Sequence, residues 1–140
     1  MHAELVQAGP KTKIGCLVVT SLTKLALDLK VMNGVRSTTE NLQDAITGEN
    51  FEFKEMYPNY VAAAMEEGAQ KAMLSFNNAM EVEKVHHRLY IQALDKVEAG
   101  EDLPVERIYV CSTCGNTVMG QPPEKCPVCG VPKEKFNEVK

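Results

Sequence analysis

Between Ala72 and Val97, side chains recur in alternating steps of three and four: Ala72, Phe76, Ala79, Glu83, His86, Tyr90, Ala93 or Leu94, and Val97. That spacing predicts an amphipathic helix from about Ala69 to Ala99, with Gly100 as its stop and Pro104 beyond. Two members of the stripe are not apolar. Glu83 and His86 stand where the pattern asks for buried positions.

A second stripe lies upstream. Ser37 and Glu40 have capping-box spacing, and Leu42, Ala45 or Ile46, Glu49, Phe53, Met56, Tyr60 and Ala63 or Ala64 follow at helical intervals. Pro58 removes one backbone donor and should kink or loosen this helix, which Glu66 to Gly68 ends. Here too a carboxylate, Glu49, interrupts the apolar run, and Glu52 lies one turn on at its edge. Further upstream, Val18, Leu22, Leu25, Leu29 and Met32 predict another amphipathic helix, although its start, "IGCLVV", equally fits a short strand. Residues 1 to about 13 are polar and contain Pro and Gly, hence loose.

Burying an ionised carboxylate without a partner costs several kcal/mol, roughly, even after relaxation. The Glu-x-x-His pair puts Glu83 and His86 on one helical face, as carboxylate-bridged metal bundles present their ligands. The bland alternative is a solvated Glu beside a core His. Three interior carboxylates with one His are harder to explain that way, because their mutual repulsion calls for a cation.

The C-terminal stretch "YVCSTCGNTVMGQPPEKCPVCGVPKEKF" carries two Cys-x-x-Cys knuckles, Cys111 with Cys114 and Cys126 with Cys129, eleven residues apart. Four thiolates so spaced build one tetrahedral metal site, and Gly115 and Gly130 permit the tight turns that aim backbone N–H groups at sulfur. Tetrahedral sulfur suits zinc and iron alike. Residues 100 to 107, polar and carrying Pro104, read as a linker.

Length and charge change the picture little. A chain of 140 residues with formal charge −4 and 24% charged side chains is ordinary soluble composition, pointing to neither nucleic acid nor membrane. The most apolar window, Ile14 to Met32, is broken by Lys24, Asp28 and Lys30 and cannot span a bilayer. No signal peptide is evident, so the expected location is cytoplasmic. In a reducing compartment four of the five cysteines read as metal ligands and Cys16 as a lone buried thiol.

The tail, with Tyr109 two residues before the first cysteine, "CPVCG", and Phe136 seven after the last, resembles rubredoxin, whose single iron relays electrons. Together with "GENFEFKEMYPNY" and "EVEKVHHRLY", it resembles the rubrerythrin family over about residues 38 to 140. The resemblance implies a mainly α fold: a ferritin-like helical bundle in residues 1–104, with an unmatched segment 1–36, and a small rubredoxin-like domain in residues 105–140. It further implies that Glu49, Glu52, Glu83 and His86 ligate a di-iron site, that Tyr57 supports them, and that Cys111, Cys114, Cys126 and Cys129 hold a mononuclear iron, zinc being possible in either site. His87, off the stripe, is not assigned. Since no upstream residue supplies the family's remaining Glu and Glu-x-x-His ligands, each chain carries half a site. An obligate homodimer or higher even-numbered oligomer would complete the bundle; the alternative is that residues 14–32 fold back over the stripe. The implied activity is reduction of hydrogen peroxide in oxidative-stress defence, with electrons from a cytosolic donor, either rubredoxin or an NAD(P)H-dependent reductase. Iron handling by a ferroxidase and a non-catalytic zinc-ribbon adaptor are the rival readings.

Overall fold

A computed structural model describes residues 34–104 and 107–139. The chain divides into two units, Met1–Ser37 and Thr38–Lys140, and the elements described here belong to the second. The helix expected over Val18 to Met32, its strand alternative and Cys16 lie outside the described residues.

Helix α1 spans Thr38–Phe51 and starts directly after Ser37, the residue that the capping-box spacing marks. The helix expected to run toward Glu66 with a kink or loosening at Pro58 contains one π turn, Glu52–Met56, before α2, Tyr57–Glu66. In that turn the Tyr57 N–H donates to the Glu52 carbonyl, five residues back. Pro58 follows at once and has no N–H to offer, so the loosening expected at the proline is met one turn earlier.

The π turn corrects the predicted stripe. Glu49 and Tyr57 would lie about 80° apart around an uninterrupted α-helix; one inserted residue narrows this to about 20°. Beyond the turn the inward positions therefore move on by one. Tyr57 is half-buried and Ala64 is buried, whereas Tyr60 is 45% exposed and Ala63 is exposed too.

A short turn at Gly68, with φ of 67°, reverses the chain into α3, Gln70–Glu98, which packs along α1 and α2 as a helical hairpin. At its far end Gly100 adopts φ of 73°, the left-handed stop expected from the sequence. Phe76 of α3 meets Tyr60 and Tyr57 with ring centroids 5.4 and 6.4 Å apart. The hairpin has little core of its own. In its helices only Ala64 and Val82 are buried, while Phe51, Met65 and Leu74 stand at least half exposed.

The cysteine-rich region forms a three-stranded antiparallel sheet of order β2-β1-β3, with β1 Ile108–Cys111, β2 Thr117–Met119 and β3 Phe136–Glu138. Register pairs Cys111 with Phe136. Phe136, Cys111 and Cys126 are its buried centre, with Tyr109, Val118, Val128 and Val131 packed around them. The two aromatic positions singled out in the sequence thus enclose the cysteines.

Candidate metal centres

The two knuckles are built alike. Gly115 donates its N–H to the Cys111 carbonyl, and Gly130 to that of Cys126, each at 2.9 Å and each with positive φ. The first cysteine of each knuckle in turn donates its N–H to the residue five positions on, Asn116 or Val131. Cys111 Sγ lies 3.7 Å from Cys129 Sγ, and Cys114 Sγ 3.6 Å from Cys126 Sγ. A tetrahedron with metal–sulfur bonds of about 2.3 Å has edges of about 3.8 Å, so the thiols already sit at the corners a metal needs.

Their acidity is unequal. Burial opposes ionisation of Cys111, yet the backbone N–H groups of Cys114 and Thr113 hold its thiol down to about 7. Burial pushes the Cys114 and Cys129 thiols up. Four crowded sulfurs cannot all ionise without a cation among them.

The second cluster joins two helices. Ligand atoms of Glu49 on α1 and of Glu83 and His86 on α3 all lie within 4.8 Å of one another. His86 Nδ1 is 2.8 Å from Glu83 Oε2 and 3.8 Å from Glu49 Oε1, and the two carboxylate side chains are only 14% and 15% exposed. Tyr57 Oη donates to Glu83 Oε1 at 3.4 Å, the contact that the π turn makes possible. Glu49 Oε2 is buried with no hydrogen-bond partner. An orphaned buried carboxylate oxygen facing a second carboxylate and an imidazole fits a cation, which would balance the crowded carboxylates.

The protonation of the site tells the same story. Burial first, then Glu83 and more weakly Glu52, raise the Glu49 carboxyl to about 7, with His86 pulling the other way. Burial and Glu83 raise Glu52 as well. Burial, Glu83 and Glu52 push the Tyr57 hydroxyl above its ordinary value, so it stays a donor. Glu52 feels the site electrostatically but stands outside the group of three. His87 points elsewhere, edge-on to Phe53 at 5.3 Å, and lines a cleft with Lys84, Arg88, Pro127 and Val128.

Sequence reasoning missed what joins the two centres. Val82, buried and one residue before Glu83, backs onto Gly115 of the first knuckle: a Cβ on that glycine would lie 3.8 Å from Val82 Cγ1. His86 Nε2 lies 3.1 Å from Thr117 Oγ1 on β2. The available signal was Val82 itself, an apolar residue off the main stripe. Among the described residues no helix is long and apolar enough to cross a membrane.

A helical hairpin carrying carboxylate and imidazole ligands, followed by a four-cysteine knuckle domain, defines a class of metalloprotein with two separate centres. Comparison with known proteins specifies it. A family model described as "Rubrerythrin" matches residues 17–94, and one described as "Rubrerythrin, rubredoxin-like domain" matches residues 109–137. The chain belongs to the rubrerythrin family. The first match opens at residue 17, upstream of the motifs that carry the resemblance. Rubrerythrin-2 of Clostridium acetobutylicum is 39% identical over 103 residues, covering 74% of this chain and 56% of that protein. Nigerythrin of Nitratidesulfovibrio vulgaris is 36% identical over 96 residues, covering 69% and 46%. A solved structure of nigerythrin in a partially reduced state superposes with a TM-score of 0.68 at 27% identity, covering 99% of this chain and 68% of that one. The chain thus spans about half the length of the curated relatives it matches.

Proposed function

We propose that the protein is a non-haem di-iron peroxidase that reduces hydrogen peroxide to water. The observation that carries this reading is the meeting of Glu49, Glu83 and His86 around a buried carboxylate oxygen that has no partner. Iron bound at the two centres would supply the electrons that O–O cleavage requires. Glu49, Glu83 and His86 would hold that iron, and Glu52, at the margin, would be the carboxylate able to join or leave it.

The remaining side chains handle position and protons. Tyr57 Oη fixes Glu83 Oε1 and, with its raised pKa, keeps its proton beside the carboxylates. His86 braces Glu83 Oε2 through Nδ1. Three ligands per chain are half the four-Glu, two-His set of carboxylate di-iron bundles, so a second chain related by two-fold symmetry completes both ligands and core. The half-exposed Phe51, Met65 and Leu74 support that pairing. Free thiols serving as ligands fit a reducing, cytoplasmic compartment, where rubredoxin or an NAD(P)H-dependent reductase is the donor class.

Iron-reconstituted protein tests the activity by parallel peroxide and oxygen electrodes. Rapid peroxide loss with little oxygen uptake supports it. Oxygen uptake coupled to ferrous oxidation, with slow peroxide loss, would establish a ferroxidase instead.

A further inference from the structure

We propose that the cleft between α3 and the second knuckle docks an acidic protein that carries one electron at a time, with Arg88 as the main anchor. This rests on the reading of the four-cysteine site as the place where a donor's electrons enter. A cationic patch on an acidic chain, set beside two of the cysteines, supports it.

Pro127 and Val128, the residues between Cys126 and Cys129, line the cleft together with Phe53 and Val85. A partner seated there covers the stretch of chain that joins two of the four sulfurs. Cys126 is buried, but Cys129 is only half-buried. Electrons arriving at this knuckle therefore have little protein to cross.

The charge runs against that of the whole. The chain carries a formal −4, yet Lys84 and Arg88 line the cleft, and Lys54 Nζ lies 5.8 Å from the centre of the Phe53 ring. Glu81, the one carboxylate among the described lining residues, bonds Lys84 at 2.6 Å, so those two charges offset each other. Arg88 is exposed and joins no ion pair among the described residues. A free guanidinium beside apolar Val85 and Val128 suits a partner bearing carboxylates, and the negative remainder of the chain turns such a partner toward this face. Reduced nicotinamides are anionic too, but they release a hydride, two electrons at once, whereas a single iron accepts one. The transfer involves no bond made or broken: the partner is oxidised by one electron and the metal among the four cysteines is reduced by one.

The test uses the full chain with zinc in the four cysteines, so that binding is read without turnover, and a rubredoxin of strongly negative net charge as the probe. Isothermal titration should show binding at about 0.01 M ionic strength that weakens about tenfold or more at about 0.15 M, as the Debye length shrinks. Arg88→Glu should weaken the low-salt binding about tenfold and Arg88→Gln about threefold, while Lys71→Glu, the same charge change on an exposed residue near the start of α3, should stay within about twofold of wild type. The amide resonances of Val128 and Cys129 should shift during the titration. No binding at low salt, binding insensitive to salt, Arg88→Glu no weaker than Lys71→Glu, or shifts confined to other surfaces would each overturn the proposal. Shifts of the same amides with NADPH in place of the protein would overturn it in favour of a nucleotide. The peroxidase reading is judged separately, by the electrodes above with a chemical reductant, so either can fail without the other.

Discussion

The four-cysteine domain and the helical hairpin solve the same problem, holding a cation among groups that repel one another, with opposite economies. In the first, every ligand is within three residues of another, the turn glycines bond back to their own knuckle, and Phe136 and Tyr109 close a small core. In the second, Glu49 and Glu83 come from different helices and the core is nearly absent. A local site can be finished by one short segment. A site drawn from distant residues depends on everything that sets helix register and on whatever covers the open face.

The largest expected effect breaks the local site. Cys111→Ser or Cys129→Ser removes one corner of the tetrahedron and, in so small a domain, much of its folding energy. Steady-state peroxide turnover with a donor should fall to background, while a single oxidation of chemically reduced protein persists because the helical ligands are untouched. Stopped-flow absorption separates the two phases. Unaffected steady-state turnover would reduce the domain to a structural staple.

Next, Glu83→Ala or His86→Ala should lower the iron count by the whole helical share and leave the cysteine-bound metal in place. Each deletes a ligand and leaves the remaining carboxylates with less to neutralise them. Elemental analysis reads this directly, and an unchanged count would refute the ligand assignment.

A smaller effect sharpens the electrostatic side. Because the folded Glu49 carboxyl is raised to about 7, above its ordinary value of 4.5, the metal-free folded state holds a proton that the unfolded state has already lost between those values. Metal-free protein should therefore be most stable below about pH 4.5 as far as this group is concerned, and lose that contribution as pH rises through 7. Glu49→Gln should flatten the decline and melt higher than wild type at pH 8 without metal, yet bind no helical iron. Thermal melts across pH 5 to 8 decide it.

The smallest effect is His87→Ala, which forfeits an edge-on contact with Phe53 and should cost about 1 kcal/mol of stability with the iron count unchanged.

These differences also explain what could be read in advance. The cysteine domain was legible almost entirely, because its ligands, turns and enclosing aromatics are marked by short spacings that need no tertiary information. On the hairpin, Glu83, His86 and Glu49 could be found because each interrupts an apolar stripe at helical spacing. The π turn at Glu52–Met56 was not legible as such: Pro58 signals a missing donor, but not that a residue will be inserted before it. Tyr57 consequently fell off the stripe that periodicity alone drew and entered only through the family resemblance. Val82 and Thr117 were missed for another reason. Their partners are on the far side of the linker, and no local pattern records a contact between segments about 30 residues apart.

The central claim is that one chain carries one complete centre and half of another. Native mass spectrometry of the iron-reconstituted protein tests it in a single measurement, since it gives subunit number and bound metal together. The account predicts a species of two chains with four irons: one in each cysteine site and a pair shared between the hairpins. A single chain carrying one iron, with no heavier species, would contradict it.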